Sequence, residues 1–173
     1  MKKAIFSTPL GWAGAGIFEK GICRIVLPRG SQKTAESELA RVKRGMSKAA
    51  VSRSADRDMK RTVKLLQRYF SGRRVSFDLP LDLSYHTAFQ QTVWRAAASI
   101  PYGETRSYAW IAKKIGKPKA ARAVGQALGA NPVPVLIPCH RVISSAGSLG
   151  GFSGGLGMKK KLLDLEANAD KHR

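Results

Sequence analysis

A cysteine beside a histidine, Cys139-His140, is the pair in this sequence best suited to nucleophilic chemistry. Only a thiolate is strongly nucleophilic, and a free cysteine with a pKa near 8.5 is mostly protonated at neutral pH, so Cys139 needs a base. His140 is the obvious one. Adjacent side chains of an extended chain point to opposite faces, so contact between the two requires a bend or, as we favour, a bridging water. Taken alone, Cys139 could equally be an inert buried thiol, as most lone intracellular cysteines are, and His140 a satisfied core histidine.

The elements around this pair are legible from turn residues and periodicity. Ala4 to Ser7, Trp12 to Phe18 and Ile22 to Leu27 read as strands of a small antiparallel sheet, separated by Pro9-Leu10-Gly11 and Glu19-Lys20-Gly21. Thr34 to Arg44 reads as a short helix and Gly45 to Ala55 as a loop. Asp56 is placed to cap a clearer helix, in which Met59, Val63, Leu66 and Phe70 recur at helical spacing and which Gly72 ends. Opposite those residues, Lys60, Lys64 and Arg68 recur every four residues with Arg61 beside them. Each like-charge pair at that spacing costs an isolated helix roughly 0.2–0.5 kcal/mol, so the stripe is either a solvated face or a surface for an anionic partner.

Val75 to Ser84, with Leu79, Leu81 and Leu83 alternating, reads as an extended crossing into a second unit. The boundary falls near Tyr85, giving an α/β domain over 1–84 and a mostly helical one over 85–173. Thr87 and Gln90 form a capping-box pattern for a helix whose Phe89, Val93, Trp94 and Ala97 face inward until Ile100-Pro101. Ser107 caps the next helix, with Tyr108, Ile111, Ala112 and Ile115 on one face and Gly116 as its stop. Lys119 to Leu128 follows at once, burying Ala120 or Ala121, Val124, Ala127 and Leu128 and ending at Gly129. Two short helices with a tight glycine turn outline a helix-turn-helix. Arg122, Gly125, Gln126 and Gly129 share its exposed side, where the glycines let the backbone approach a bulky ligand. A glycine inside a helix costs about 1 kcal/mol against alanine, so such closeness should have a use.

The chain has 173 residues, 31 of them Lys or Arg against 11 Asp or Glu, a formal charge of +20 that concentrates it around polyanions. Nucleic acid is the leading partner, with a merely basic surface as the alternative. A 43% hydrophobic content is enough for a real core, and two distant cysteines, Cys23 and Cys139, make neither a disulfide framework nor a metal-ligand spacing. The opening Met1 to Phe6 starts like a signal peptide but breaks at Ser7-Thr8-Pro9, and no apolar run approaches membrane-spanning length. A cytoplasmic protein without membrane attachment is expected.

Pro138-Cys139-His140-Arg141-Val142 resembles the acceptor-cysteine signature of the O6-alkylguanine-DNA alkyltransferases, also called methylated-DNA–protein-cysteine methyltransferases. The resemblance runs from Phe89 to Glu166 and includes, in order, Tyr102-Gly103-Glu104-Thr105, Ser107-Tyr108, Arg122-Ala123-Val124-Gly125 and Asn131-Pro132. In the N-terminal half it is confined to Ser7-Thr8-Pro9-Leu10-Gly11 and the general layout. It implies an α+β fold: a small N-terminal antiparallel sheet with helices, then a mostly helical domain with a winged-helix-like helix-turn-helix and the acceptor site. The implied reaction is single-turnover transfer of an alkyl group from O6-alkylguanine, with O4-alkylthymine as a second candidate substrate, in double-stranded DNA to Cys139 of a monomer without cofactor.

The resemblance also implies roles. Glu166 orients His140, giving a relay from Cys139 through water and His140 to Glu166. Tyr108 donates toward guanine N3, Asn131 is the hinge between the DNA-binding helices and the active-site segment, and amides near Cys139 and Ser153 receive O6. Carbonyls of Cys139 and Val142 read the exocyclic amine. Arg122 is the finger that fills the gap left by a flipped nucleotide, and Ala123, Gly125, Gln126, Gly129 and Arg141 join it at the DNA, in the minor groove. Phe152 stands where many relatives have tyrosine, which leaves the range of alkyl groups open. Some relatives hold a zinc in the first unit, yet Cys23 and His86 are its sole candidate ligands here, so no metal is expected. Two rival functions remain, a cysteine hydrolase and a non-catalytic DNA-binding regulatory module.

Overall fold

Glycine dictates where the first sheet turns. Gly11 has φ 119° and Gly21 has φ 135°, and a Cβ would lie 2.4 Å from the Arg29 carbonyl oxygen at the first and 2.3 Å from that of Pro80 at the second. Three antiparallel strands result, β1 (Lys2–Thr8), β2 (Gly11–Phe18) and β3 (Gly21–Arg29), in the order β1-β2-β3. Each is longer than its apolar run, because paired backbone extends past the buried residues. The computed structural model describes residues 1–18, 20–41 and 54–169, so the expected turn residue Glu19 and most of the loop at 45–55 lie outside it.

Ser31, rather than a residue nearer Thr34, starts α1 (Gln32–Ala40): its hydroxyl accepts from the Thr34 amide at 3.2 Å. Helix α2 (Ala55–Phe70) packs on β1 and β2 through Met59, Leu66 and Phe70. Two details depart from expectation. Asp56 does not cap α2; Ser54 holds the cap position, and Asp56 instead pairs with Lys2. Val63 is half-buried, whereas Thr62 faces inward because its hydroxyl donates to the Asp58 carbonyl at 2.6 Å. The segment after α2 is extended, and Leu81 bridges to Ile22, so Pro80 and Asp82 hydrogen-bond the free side of β3. Leu79 and Asp82 are the buried residues there, with Leu81 and Leu83 half-buried, so leucine alternation does not define one buried face.

The chain divides into two compact units, Met1–Tyr85 and His86–Arg173. The second opens on α3 (Ala88–Ala98), with both bonds of the Thr87–Gln90 capping box present. Val93, Trp94 and Ala97 are buried and Phe89 half-buried. A two-residue strand β4 (Arg106–Ser107) leads into α4 (Tyr108–Lys114), capped by the Ser107 hydroxyl on the Trp110 amide. Gly116, at φ 72°, turns the chain toward α5 (Ala121–Gly129). Helices α3, α4 and α5 pack on one another, and the Trp94 indole donates to the Ala127 carbonyl at 2.8 Å. β5 (Val142–Ile143) pairs in parallel with β4, and α6 (Leu156–Asn168) completes the α+β architecture that the resemblance implies.

Candidate active site

Every residue from Asn131 to Val142 is buried, although the stretch holds no helix or strand longer than three residues. Buried irregular backbone must find partners, and Asn131 supplies several of them. Its Nδ2 donates to the Ile137 carbonyl at 2.9 Å and to the Cys139 sulfur at 3.1 Å, and its Oδ1 accepts from the Val133 amide at 3.0 Å. Within this loop Val135 sits at φ 76°, a conformation that a β-branched residue rarely adopts. Pro138, with φ −80° and ψ 61°, forms an inverse γ-turn closed by the Cys139 amide on the Ile137 carbonyl at 2.8 Å. Cys139–Arg141 is therefore a 3-10 turn rather than the extended chain expected, and strand alternation does not govern Cys139 and His140.

His140 is fully buried, and its Nε2 lies 2.7 Å from Glu166 Oε1. Glu166 also accepts from Arg141 Nε at 2.8 Å, Arg141 Nη2 at 3.0 Å and the Gly103 amide at 3.0 Å. Burial opposes its ionisation, but the bonds from His140 and Arg141 prevail and hold its carboxyl down at about 2. Burial pushes the His140 pKa below its ordinary value, against the pull of Glu166, so the imidazole is neutral. A carboxylate only accepts, so Nε2 carries the proton and Nδ1 the basic lone pair.

Arg141, expected at the DNA surface, is instead a buried partner of this carboxylate. Its Nη1 donates to the Ile100 carbonyl at 2.7 Å, leaving the guanidinium committed to the protein. Burial likewise pushes the Cys139 thiol up to about 11, against the Asn131 hydrogen bond and the nearby charge of Lys159. The Cys139 thiol is thus protonated, and the neutral His140 imidazole is joined to Arg141 through Glu166.

Lys159 also stands at this candidate site, unmarked in the sequence. It is fully buried on α6 and donates to the Val142 carbonyl at 2.6 Å, to the Leu149 carbonyl and to that of Gly151 at 3.4 Å. Its spacing to Leu162 and Glu166, three and seven residues on, was the available signal. Val142 is fully buried and its carbonyl is already shared with this lysine.

Tyr108 opens α4 beneath the glycine-rich loop, its hydroxyl 3.3 Å from the Gly151 carbonyl. A Cβ at Gly150, which has φ 67°, would stand 2.6 Å from that hydroxyl. Tyr108, Arg122, Gly125, Gln126, Ser144 and Gly151 line an open cleft of about 570 Å³. Arg122, Gln126 and Gly129 are exposed on α5, and Ala123 and Gly125 half-buried. Phe152 is half-buried and Ser153 exposed in the loop. Cys23 lies apart in the first unit, its sulfur 3.3 Å from the Gly16 carbonyl, and burial pushes that thiol up to about 12. Among the described residues no three His, Cys, Asp or Glu side chains cluster as metal ligands.

Residues 88–168 match the DNA-binding domain of 6-O-methylguanine DNA methyltransferase, and residues 18–83 match its ribonuclease-like domain. The structure is also similar to that of Mycobacterium tuberculosis OGT in complex with DNA, with a TM-score of 0.76 and 37% identity over 96% of this chain and 93% of that one. The chain belongs to the 6-O-methylguanine DNA methyltransferase family. Its similarity to the methylated-DNA–protein-cysteine methyltransferase of M. tuberculosis reaches 55% identity over 104 residues, 60% of this chain. The inducible enzyme of Bacillus subtilis is 52% identical over an equal length. These matches span 62% and 58% of the relatives' own lengths.

Proposed function

We propose that this methyltransferase-family chain repairs O6-alkylguanine in double-stranded DNA by moving the alkyl group irreversibly to Cys139. The observation that carries this function is the two buried pairs on consecutive residues, Asn131 with Cys139 and His140 with Glu166, the second holding a neutral imidazole 2.7 Å from an ionised carboxylate. The lesion nucleotide is flipped out of the duplex, with Arg122 in the vacated stack and the glycines of α5 allowing close approach. His140 Nδ1 takes the thiol proton through a water. The sulfur attacks the alkyl carbon, the carbon–O6 bond breaks, and its electron pair stays on O6. Burial holds the Tyr108 hydroxyl above its ordinary pKa, so it remains a donor toward guanine N3 as negative charge develops.

The product is a thioether with no electrophilic carbonyl for water to attack, so each chain acts once. A cysteine hydrolase built on the same groups would turn over. The protein works as a monomer and without cofactor, and a reducing, cytoplasmic setting suits its two free cysteines, Cys23 and Cys139. Among the described residues, no helix is long and apolar enough to cross a membrane. Intact-mass analysis after mixing with an O6-methylguanine duplex tests the proposal: one methyl per chain on Cys139 is expected, and none on Cys139→Ser, which still binds DNA. Repeated turnover by one chain would overturn it.

A further inference from the structure

We propose that the outward face of α2 is a second DNA-binding surface, gripping the phosphate backbone of duplex DNA whatever its sequence or damage. The inference rests on DNA being the chain's partner. Arg57, Lys60, Arg61, Lys64 and Arg68 are all exposed on this helix. At about 100° per residue they fall within an arc of roughly 100°, opposite Met59, Leu66 and Phe70, and extend about 16 Å along the axis. Acidic residues offset only the first turn of the stripe: Asp56 pairs with Lys2 and also lies near Lys60, and Asp58 accepts from Ser54 and stands 3.7 Å from Arg57. Among the described residues none brings a carboxylate to Arg61, Lys64 or Arg68.

The apolar side of α2 decides between anionic partners. A helix that lies on a membrane sinks its apolar face among the acyl chains, but here that face is packed on β1 and β2. What remains is a rigid row of cations with no hydrophobic contribution, which matches a dense line of phosphates.

The test measures affinity of the full-length protein for an unmodified duplex across a salt series. Changing Lys60, Lys64 and Arg68 together to Gln should flatten the salt slope by up to about three units, and Lys64→Gln alone by about one. Replacing Lys60 and Lys64 with Arg should leave the slope as it was. A folded triple variant, verified by its circular dichroism melt, that keeps the parent slope would overturn the proposal. So would charge-dependent capture by phosphatidylglycerol vesicles with no change in DNA slope. Because the duplex carries no lesion, failure of methyl transfer to Cys139 would count against the repair function while leaving this measurement intact.

Discussion

The side-chain nitrogen of Asn131 lies 3.1 Å from the Cys139 sulfur and donates to it. The same amide closes the loop through Ile137 and Val133, so one residue shapes the segment and attends the Cys139 sulfur. A donor of this kind favours the thiolate, whereas burial favours the thiol, and burial wins in the resting protein. Under the proposed function, Cys139 loses its proton during alkyl transfer rather than before it.

Replacing Asn131 with Asp substitutes an acceptor and a negative charge for that donor. The thiol should rise further, and at neutral pH its alkylation by iodoacetamide should slow by about tenfold or more. Asn131→Ala should instead act on stability, since the Val133 amide loses its partner at about 1–3 kcal/mol while the Ile137 carbonyl keeps the Cys139 amide. Wild-type alkylation rates in Asn131→Asp would show that the amide serves the loop alone.

Acid stability follows from Glu166, whose carboxyl falls from an ordinary 4.5 to about 2 in the fold. The unfolded chain takes up this proton first, so the stabilisation is complete above 4.5 and is lost as pH drops toward 2, on the order of 3 kcal/mol in total. His140 is also depressed, from 6.5, and adds a loss that begins as pH falls below that value. Urea unfolding from pH 7 downward should show both windows. Glu166→Gln should erase the lower one and cost about 3–5 kcal/mol at pH 7 by leaving Arg141 buried without its carboxylate. A Gln variant as stable as the parent at neutral pH would contradict this account.

Two neighbouring glycines should respond differently to alanine. At Gly150 a Cβ would meet the Tyr108 hydroxyl at 2.6 Å and sit at φ 67°, whereas at Gly151 nothing lies within 4 Å. Gly150→Ala should cost about 1–2 kcal/mol from backbone strain and slow alkyl transfer by displacing Tyr108. Gly151→Ala should do neither. Single-turnover rates and thermal melts of the pair would decide whether the loop positions the tyrosine.

Arg122 is exposed on the rim of the cleft. Arg122→Ala should slow transfer from duplex DNA far more than reaction with free O6-methylguanine base, since only the duplex has a gap to hold open. Equal losses on both substrates would remove the finger role.

Amino-acid order alone determined the elements whose signals are local. Ser107 caps α4 and Thr87 with Gln90 boxes α3 because a cap depends on residues three apart, and Gly11 and Gly21 turn the sheet because of their own φ. The motif around Cys139 likewise carried, by resemblance, the family. Local spacing misled where a distant group competed: Asp56, suited to a cap, pairs with Lys2, 54 residues away. Arg141 is the sharper case. In sequence it is another cation of a basic chain, and only folding brings Glu166, 25 residues on, within 2.8 Å and buries both. Lys159 went unmarked in the sequence for the same reason, because the carbonyls of Val142, Leu149 and Gly151 converge on it in three dimensions alone. A buried charge is tolerable only among such partners, so tertiary contacts, rather than charge or motif, decided which cations face solvent and which build the site.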